Sequence, residues 1–131
     1  MKTLLILLSG LFVSSSVGIA QKPASLEEVC AAVGAAKVES LVAAIGDDLE
    51  LSILDNEAVY SRADAATALK KFFAGFTKTS FGKVHQGASK ADDAEYCIGT
   101  LTTDKGSFRV YIYVAKKGPG IVLEELRFDP S

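Results

Sequence analysis

Histidine and cysteine are scarce in this sequence, with one histidine, His85, and two cysteines, Cys30 and Cys97, among 131 residues. Zinc-type sites need clustered Cys and His ligands at short spacings, and two distant cysteines do not supply them. No metal and no other cofactor is expected. No G-x-S-x-G elbow or comparable cysteine signature marks a nucleophile. Basic residues form no block: Lys70-Lys71 and Lys116-Lys117 are isolated pairs in a chain of net charge −2. That excludes the clustered cations with which a nucleic-acid-binding surface neutralises phosphates. Internal repeats, low-complexity tracts and an interdomain linker are also missing, and only one long apolar run is present.

That run lies at the N-terminus. Met1-Lys2 carries positive charge, Leu4 to Val13 is an apolar core, and Ser14-Ser15-Ser16 leads to Gly18-Ile19-Ala20. Small residues at the first and third positions before a cut suit a signal peptidase groove. A spanning helix needs about 20 apolar residues, and this run is much shorter. Residues 1–20 therefore read as a cleavable signal peptide and 21–131 as one domain, secreted or periplasmic, with no membrane anchor after cleavage. An oxidising compartment permits a disulfide between Cys30 and Cys97. The alternative is two small buried thiols.

Periodicity orders the rest. Ser25 and Glu28 form an S-x-x-E capping box. Leu26, Val29, Cys30 and Val33 make one helical stripe, and Val38, Leu41, Val42 and Ile45 a second one out of phase with it. Gly34 marks the expected break between two short helices. Leu49, Leu51 and Ile53 alternate with polar residues as a half-buried strand. Asp55-Asn56 reads as a turn and Ala58-Val59-Tyr60 as the return strand. Ser61 caps a third helix, whose stripe of Ala65, Ala66, Leu69, Phe72, Phe73 and Phe76 centres on Phe72 and Phe73, with Gly75 helping to end it. Four strands follow, over 81–88, 95–103, 107–116 and 121–128. Early helices and a late meander indicate an α+β domain.

The hairpin at Asp104-Lys105-Gly106 is informative. A three-residue turn pairs Thr103 with Ser107. Tyr96, Ile98, Thr100, Phe108, Val110, Ile112 and Val114 then share the face expected to cover the helices. Cys97, Gly99, Leu101, Arg109, Tyr111 and Tyr113 share the other. In this register Cys97 is cut off by the sheet from Cys30 on its helix, so no disulfide between them is expected. The aromatic outer face with one cation reads either as a protein contact surface or as an ordinary solvated sheet.

The order of elements, carried by Ala31-Ala32-Val33-Gly34-Ala35-Ala36-Lys37-Val38-Glu39-Ser40-Leu41 and by Ile45 to Leu51, resembles the nuclear-transport-factor-2-like fold, also called ketosteroid-isomerase-like or cystatin-like. More narrowly, the chain resembles a family of short secreted bacterial proteins of unknown function. The resemblance is carried by Leu51-Ser52-Ile53-Leu54-Asp55, Val59-Tyr60-Ser61, His85-Gln86-Gly87, Ile98-Gly99-Thr100-Leu101, Gly106-Ser107-Phe108-Arg109-Val110-Tyr111 and Glu124-Glu125-Leu126-Arg127-Phe128. It implies a curved sheet wrapped around helices as a cone with a pocket at its open end, and it brings no catalytic residues.

Tyr60, His85 and Tyr96 are the candidate pocket residues. His85 beside Val84 reads first as a surface or structural residue, because an inward Val84 turns His85 outward or to the sheet rim. An isomerase-like pair would need a carboxylate and a neutral donor, for which Asp55 and Tyr60 are the candidates. Asp at a turn ordinarily bonds its own backbone. The Q-x-V-x-G loop of cystatin inhibitors is absent. The function expected is a non-enzymatic binding module for a small apolar ligand or a protein, with homodimerisation through Arg109, Tyr111 and Tyr113. A small pocket enzyme of isomerase or hydrolase type is the alternative.

Overall fold

The computed structural model describes residues 22–91 and 93–131. The expected signal peptide lies outside them. Helices α1 (Leu26–Gly34) and α2 (Val38–Ala44) precede strands β1 (Ile45–Ile53) and β2 (Asn56–Ser61). Helix α3 (Arg62–Phe73) follows, then β3 (Thr79–Ser89), β4 (Ala94–Thr103), β5 (Gly106–Lys117) and β6 (Gly120–Pro130). The strands form one sheet in the order β2-β1-β6-β5-β4-β3. The β1–β6 pair is parallel and the others are antiparallel. The three helices lie on one face: α1 against β3 and β4, α2 against β6 and β1, and α3 against β1 and β2. The fold is α+β with an open mixed sheet, as the order of elements predicts.

Local chemistry accounts for the helices. Ser25 Oγ accepts from the Glu28 amide at 3.2 Å, satisfying an amide that the first turn leaves without a partner, while the Glu28 carboxylate accepts from the Ala24 amide, just before the cap. Ser61 Oγ caps α3 by accepting from the Asp64 amide at 3.2 Å. Arg62 then donates to the Ile45 carbonyl at 2.6 Å and the Gly46 carbonyl at 3.0 Å. This fastens the start of α3 to the junction of α2 and β1, a tie that periodicity does not reveal.

The α1–α2 break falls two residues beyond Gly34. Helix α1 runs through Gly34, and the chain turns at Ala36, whose φ is 54°. The Ala36 amide donates to Val33 O at 3.2 Å and the Lys37 amide to Ala32 O at 2.9 Å, the paired bonds of a Schellman motif with alanine in the left-handed position. Gly34 serves a different purpose. A Cβ there would meet Phe81 Cβ at 3.1 Å, so the glycine lets β3 approach α1. Alanine in the left-handed region costs about 1–2 kcal/mol, and glycine's added unfolded-state freedom offsets about 0.4–1 kcal/mol of that. Ala36→Gly should therefore stabilise the protein by about 0.5–1 kcal/mol. A rise in the urea midpoint with unchanged slope is the expected reading, and an unchanged or lower midpoint refutes the strain argument.

The turns shift the strand registers. The β1–β2 turn is Leu54-Asp55, one residue earlier than expected, because Ile53 pairs with Asn56. At the β4–β5 hairpin Thr103 pairs with Gly106, not Ser107. The Asp104 carboxylate accepts from the Thr77 and Lys78 amides at 2.9 and 3.2 Å, and Thr103 Oγ1 accepts from the Lys105 amide at 3.0 Å. These bonds hold the turn to two residues. The Lys78 and then the Thr77 amide also hold Asp104 below the ordinary carboxylate value.

A one-residue slip moves every side chain of a strand to the other face. The expected facing of β5 holds, with Phe108, Val110, Ile112 and Val114 towards the helices. That of β4 is reversed: Cys97 and Leu101, both fully buried, face the helices, and Tyr96, Ile98 and Thr100 face away. Cys97 therefore does not lie across the sheet from Cys30. Their sulfurs are 2.9 Å apart, and both are free thiols in this structure.

The core below β5 and β6 is aromatic. Phe72 lies 4.6 Å from Phe128 and 5.3 Å from Phe108 between ring centroids, and Phe73 lies 5.8 Å from Phe128. Phe73 and Phe128 are buried, whereas Phe72 is half-buried and packs against the core from its margin. Phe76 lies beyond the helix end yet still packs on Phe108 at 5.6 Å.

Candidate functional site

Among the described residues no helix covers the outer face of the sheet, and cross-strand pairing lays two rows of side chains across it. Partner positions run Gly87, Tyr96, Tyr113, Glu125, Glu50, Val59 in the first row and His85, Ile98, Tyr111, Arg127, Ser52, Glu57 in the second. Thr100, Arg109 and Asp129 follow on a third line. The β3–β5 half is aromatic and the β6–β1–β2 half is charged.

His85 and Tyr96 come together in the aromatic half. His85 Nε2 lies 3.3 Å from the Tyr96 hydroxyl, and the Tyr96 and Tyr111 rings stack at 6.1 Å and 28°. Gly87 makes this arrangement fit, since a Cβ there would lie 2.5 Å from the Tyr96 hydroxyl. Val84 does not face inward. It occupies a register shift between Lys83 and His85 and is 75% exposed. The extra residue lets His85 pair with Ile98 on the outer side, and such a kink also blunts an edge strand against further pairing.

Tyr60 is not part of this group. It sits on β2, at the opposite edge of the sheet from β3, and pairs with buried Leu49 on the helix side. Asp55 lies in the exposed turn at the other end of β2 from Tyr60, so the two do not form an acid–base pair. Tyr111 and Tyr113 are half-buried beside Tyr96 and Ile98, while Arg109 is exposed on the third line.

The charged half comprises residues that sequence reasoning did not single out. Arg127 Nη1 lies 3.9 Å from both the Glu57 and Glu125 carboxylates. Asp48, Glu50, Val59, Tyr113, Glu124 and Glu125 line a groove beside it. Partial burial and then the Glu50 charge push the Glu125 carboxyl up, and burial followed by the Glu125 charge does the same for the Tyr111 hydroxyl. The usable signal was the polar alternation of β1 and β6, which has meaning only once β6 is known to lie between β1 and β5. Among the described residues no group of three or more His, Cys, Asp or Glu is placed to hold a metal ion. The face offers stacking surfaces, hydroxyls and ionic groups, which are the means of surface recognition.

No curated protein matches the chain. Among solved structures, a DUF4783 family protein from Bacteroides uniformis shares 27% identity at a TM-score of 0.73, covering 81% of this chain and 96% of that one. The family's protein from Bacteroides ovatus shares 26% identity at a TM-score of 0.71, covering 79% and 92%. An uncharacterised cystatin-fold protein from Novosphingobium aromaticivorans shares 15% identity at a TM-score of 0.57, covering 78% and 92%. At that identity the likeness shows the fold alone, and the same architecture extends to NTF2-like proteins. Because the family described as a domain of unknown function, DUF4783, matches residues 26–129, almost the whole of the described domain, the chain belongs to that family.

Proposed function

We propose that this protein is an exported, non-enzymatic module that binds a protein through the outer face of its sheet, a second copy of the chain being the partner. The observation that carries the reading is the group of Tyr96, Ile98 and Tyr111, half-buried side chains on a face that, among the described residues, no helix covers. Tyrosines give a large, stiff contact area at low entropic cost, and interfaces are enriched in them and in arginine. A protein partner is favoured over a small apolar ligand because Phe72, Phe73, Phe108 and Phe128 pack together where a cone-shaped fold would hold a ligand. A two-fold arrangement sets aromatic half on aromatic half, and the exposed Arg109 orients it by charge. Export rests on the tripartite segment 1–20.

Binding energy concentrates in a few central aromatic residues, so Tyr111→Ala should weaken the dimer by about 2 kcal/mol, roughly 30-fold in Kd. Sedimentation equilibrium reads this directly. In Arg109→Ala the dimer should weaken less steeply with added salt than in wild type, since the screened exposed charge is gone. A protein that stays monomeric at high micromolar concentration, with Tyr111→Ala indistinguishable from it, ends the homodimer reading.

A further inference from the structure

We propose that Cys30 and Cys97 are a dithiol–disulfide pair, in which Cys30 takes up an incoming disulfide through the groove between α1 and β3 and Cys97 resolves it, leaving a bridge from α1 to β4. The sulfurs are 2.9 Å apart. A disulfide bond is about 2.05 Å long, so closure needs a movement of less than an ångström. The positions lie 67 residues apart in sequence, and the bridge would pin the first helix to an interior strand of the sheet.

The two thiols are not equivalent. Cys97 is fully buried on the inner face of β4, whereas Cys30 retains 5% exposure. Cys30 lines the groove together with Glu27, Gly34, Phe81 and Lys83. Glu27 of α1 and Lys83 of β3 form an ion pair at its rim. The hydrogen bond with Cys97 lowers the Cys30 pKa; Lys83 adds to this, while burial and Glu27 oppose it. The hydrogen bond with Cys30, and then burial, push the Cys97 thiol up. The more accessible sulfur, the one that lines the groove beside Lys83, is thus the one an incoming disulfide meets first, as the attacking thiolate must be.

The oxidant is a disulfide-bearing thiol compound, RSSR. The Cys30 thiolate attacks one of its sulfurs, forming Cys30–S–SR and releasing RS⁻, which takes up a proton. Cys97 then gives up its proton and attacks Cys30 Sγ, expelling the second RS⁻. The balance is two cysteine thiols plus RSSR yielding one internal disulfide and two RSH, with the protein oxidised and RSSR reduced by two electrons. The pair lies on the helix side of the sheet, so this chemistry is separable from dimerisation through the outer face.

The test incubates the reduced protein with glutathione disulfide and follows it by alkylation and intact mass. Wild type should lose both alkylatable thiols without retaining glutathione. Its Tm should then exceed that of the reduced form by about 10 °C. Cys97→Ser should stop at one glutathione on Cys30, and Cys30→Ser should stay unmodified over the same period unless denatured. Cys97→Ala is run beside Cys97→Ser, with circular dichroism on both, because a hydroxyl at a fully buried position can itself unfold the chain. Glutathione on Cys97 in Cys30→Ser, at the rate seen for Cys30 in the Cys97 variants, overturns the assigned order. Wild type keeping both thiols, with Cys30 equally inert in the folded Cys97 variants, overturns the pair.

Discussion

Phe128→Ala should destabilise the protein by about 3–5 kcal/mol, the usual range for truncating a fully buried phenylalanine. Phe128 has no exposed surface. It sits on β6 between Ile53 of β1 and Val110 of β5, and its ring meets Phe72 at 4.6 Å and Phe73 at 5.8 Å. Truncation removes the transfer free energy of the ring and leaves a cavity whose walls are a sheet and a helix. Neither wall can collapse without breaking backbone pairing, which includes the Leu54 amide's bond to the Phe128 carbonyl at 2.8 Å. Phe72 supplies the contrast. It is central in the helical stripe and has more ring neighbours, but it is only half-buried, so Phe72→Ala should cost roughly half as much. Urea titration of both variants decides the matter. A larger loss for Phe72 than for Phe128 would mean that ring contacts, rather than burial, carry the core.

The same distinction separates what periodicity reveals from what it does not. The stripe 65–76 identifies the face of α3 that turns inward, and alternation identifies β1 and the late strands, because both patterns are local. Ser25 and Glu28 mark the start of α1 for the same reason. The hairpin register is different. Asp-Lys-Gly is compatible with either turn length, and the choice is made by amides 27 and 26 residues away, those of Thr77 and Lys78. That single choice decides whether Cys97 faces Cys30 or solvent. Val84 illustrates a similar limit, since one bulged residue in an edge strand cancels an inference drawn from strict alternation. The aromatic members of the outer face were recognisable by type on β4 and β5. Their charged neighbours were not, because Glu50 and Arg127 reach that face only through the parallel pairing of the first strand with the last.

Gly99→Val should cost about 3 kcal/mol, the upper part of the range for overpacking a filled core. Gly99 lies on the inner face of β4 opposite Val110. A Cβ there would come within 2.4 Å of both the Gly82 carbonyl oxygen and the Phe81 ring. The ring could swing, but the carbonyl belongs to the backbone of β3, so the strand itself has to move. Phe81 is also held from the other side, where the missing Cβ of Gly34 lets α1 rest on it. The two glycines thus form a slot around one phenylalanine, and this slot is how α1 seats on the edge of the sheet. Valine adds two methyl groups beyond the Cβ that already collides, and its branched side chain has little rotamer freedom with which to avoid the strand. The loss should be felt locally as well as globally. Forcing β3 away opens the groove in which Cys30 lies, so Cys30 in Gly99→Val should alkylate faster than in wild type under conditions where both are folded. Amide exchange should quicken first along 79–89 and in α1. A variant with wild-type stability and wild-type Cys30 reactivity would show that β3 yields freely at Gly82, and that the close approach at Gly99 does not hold the edge of the sheet to the helix.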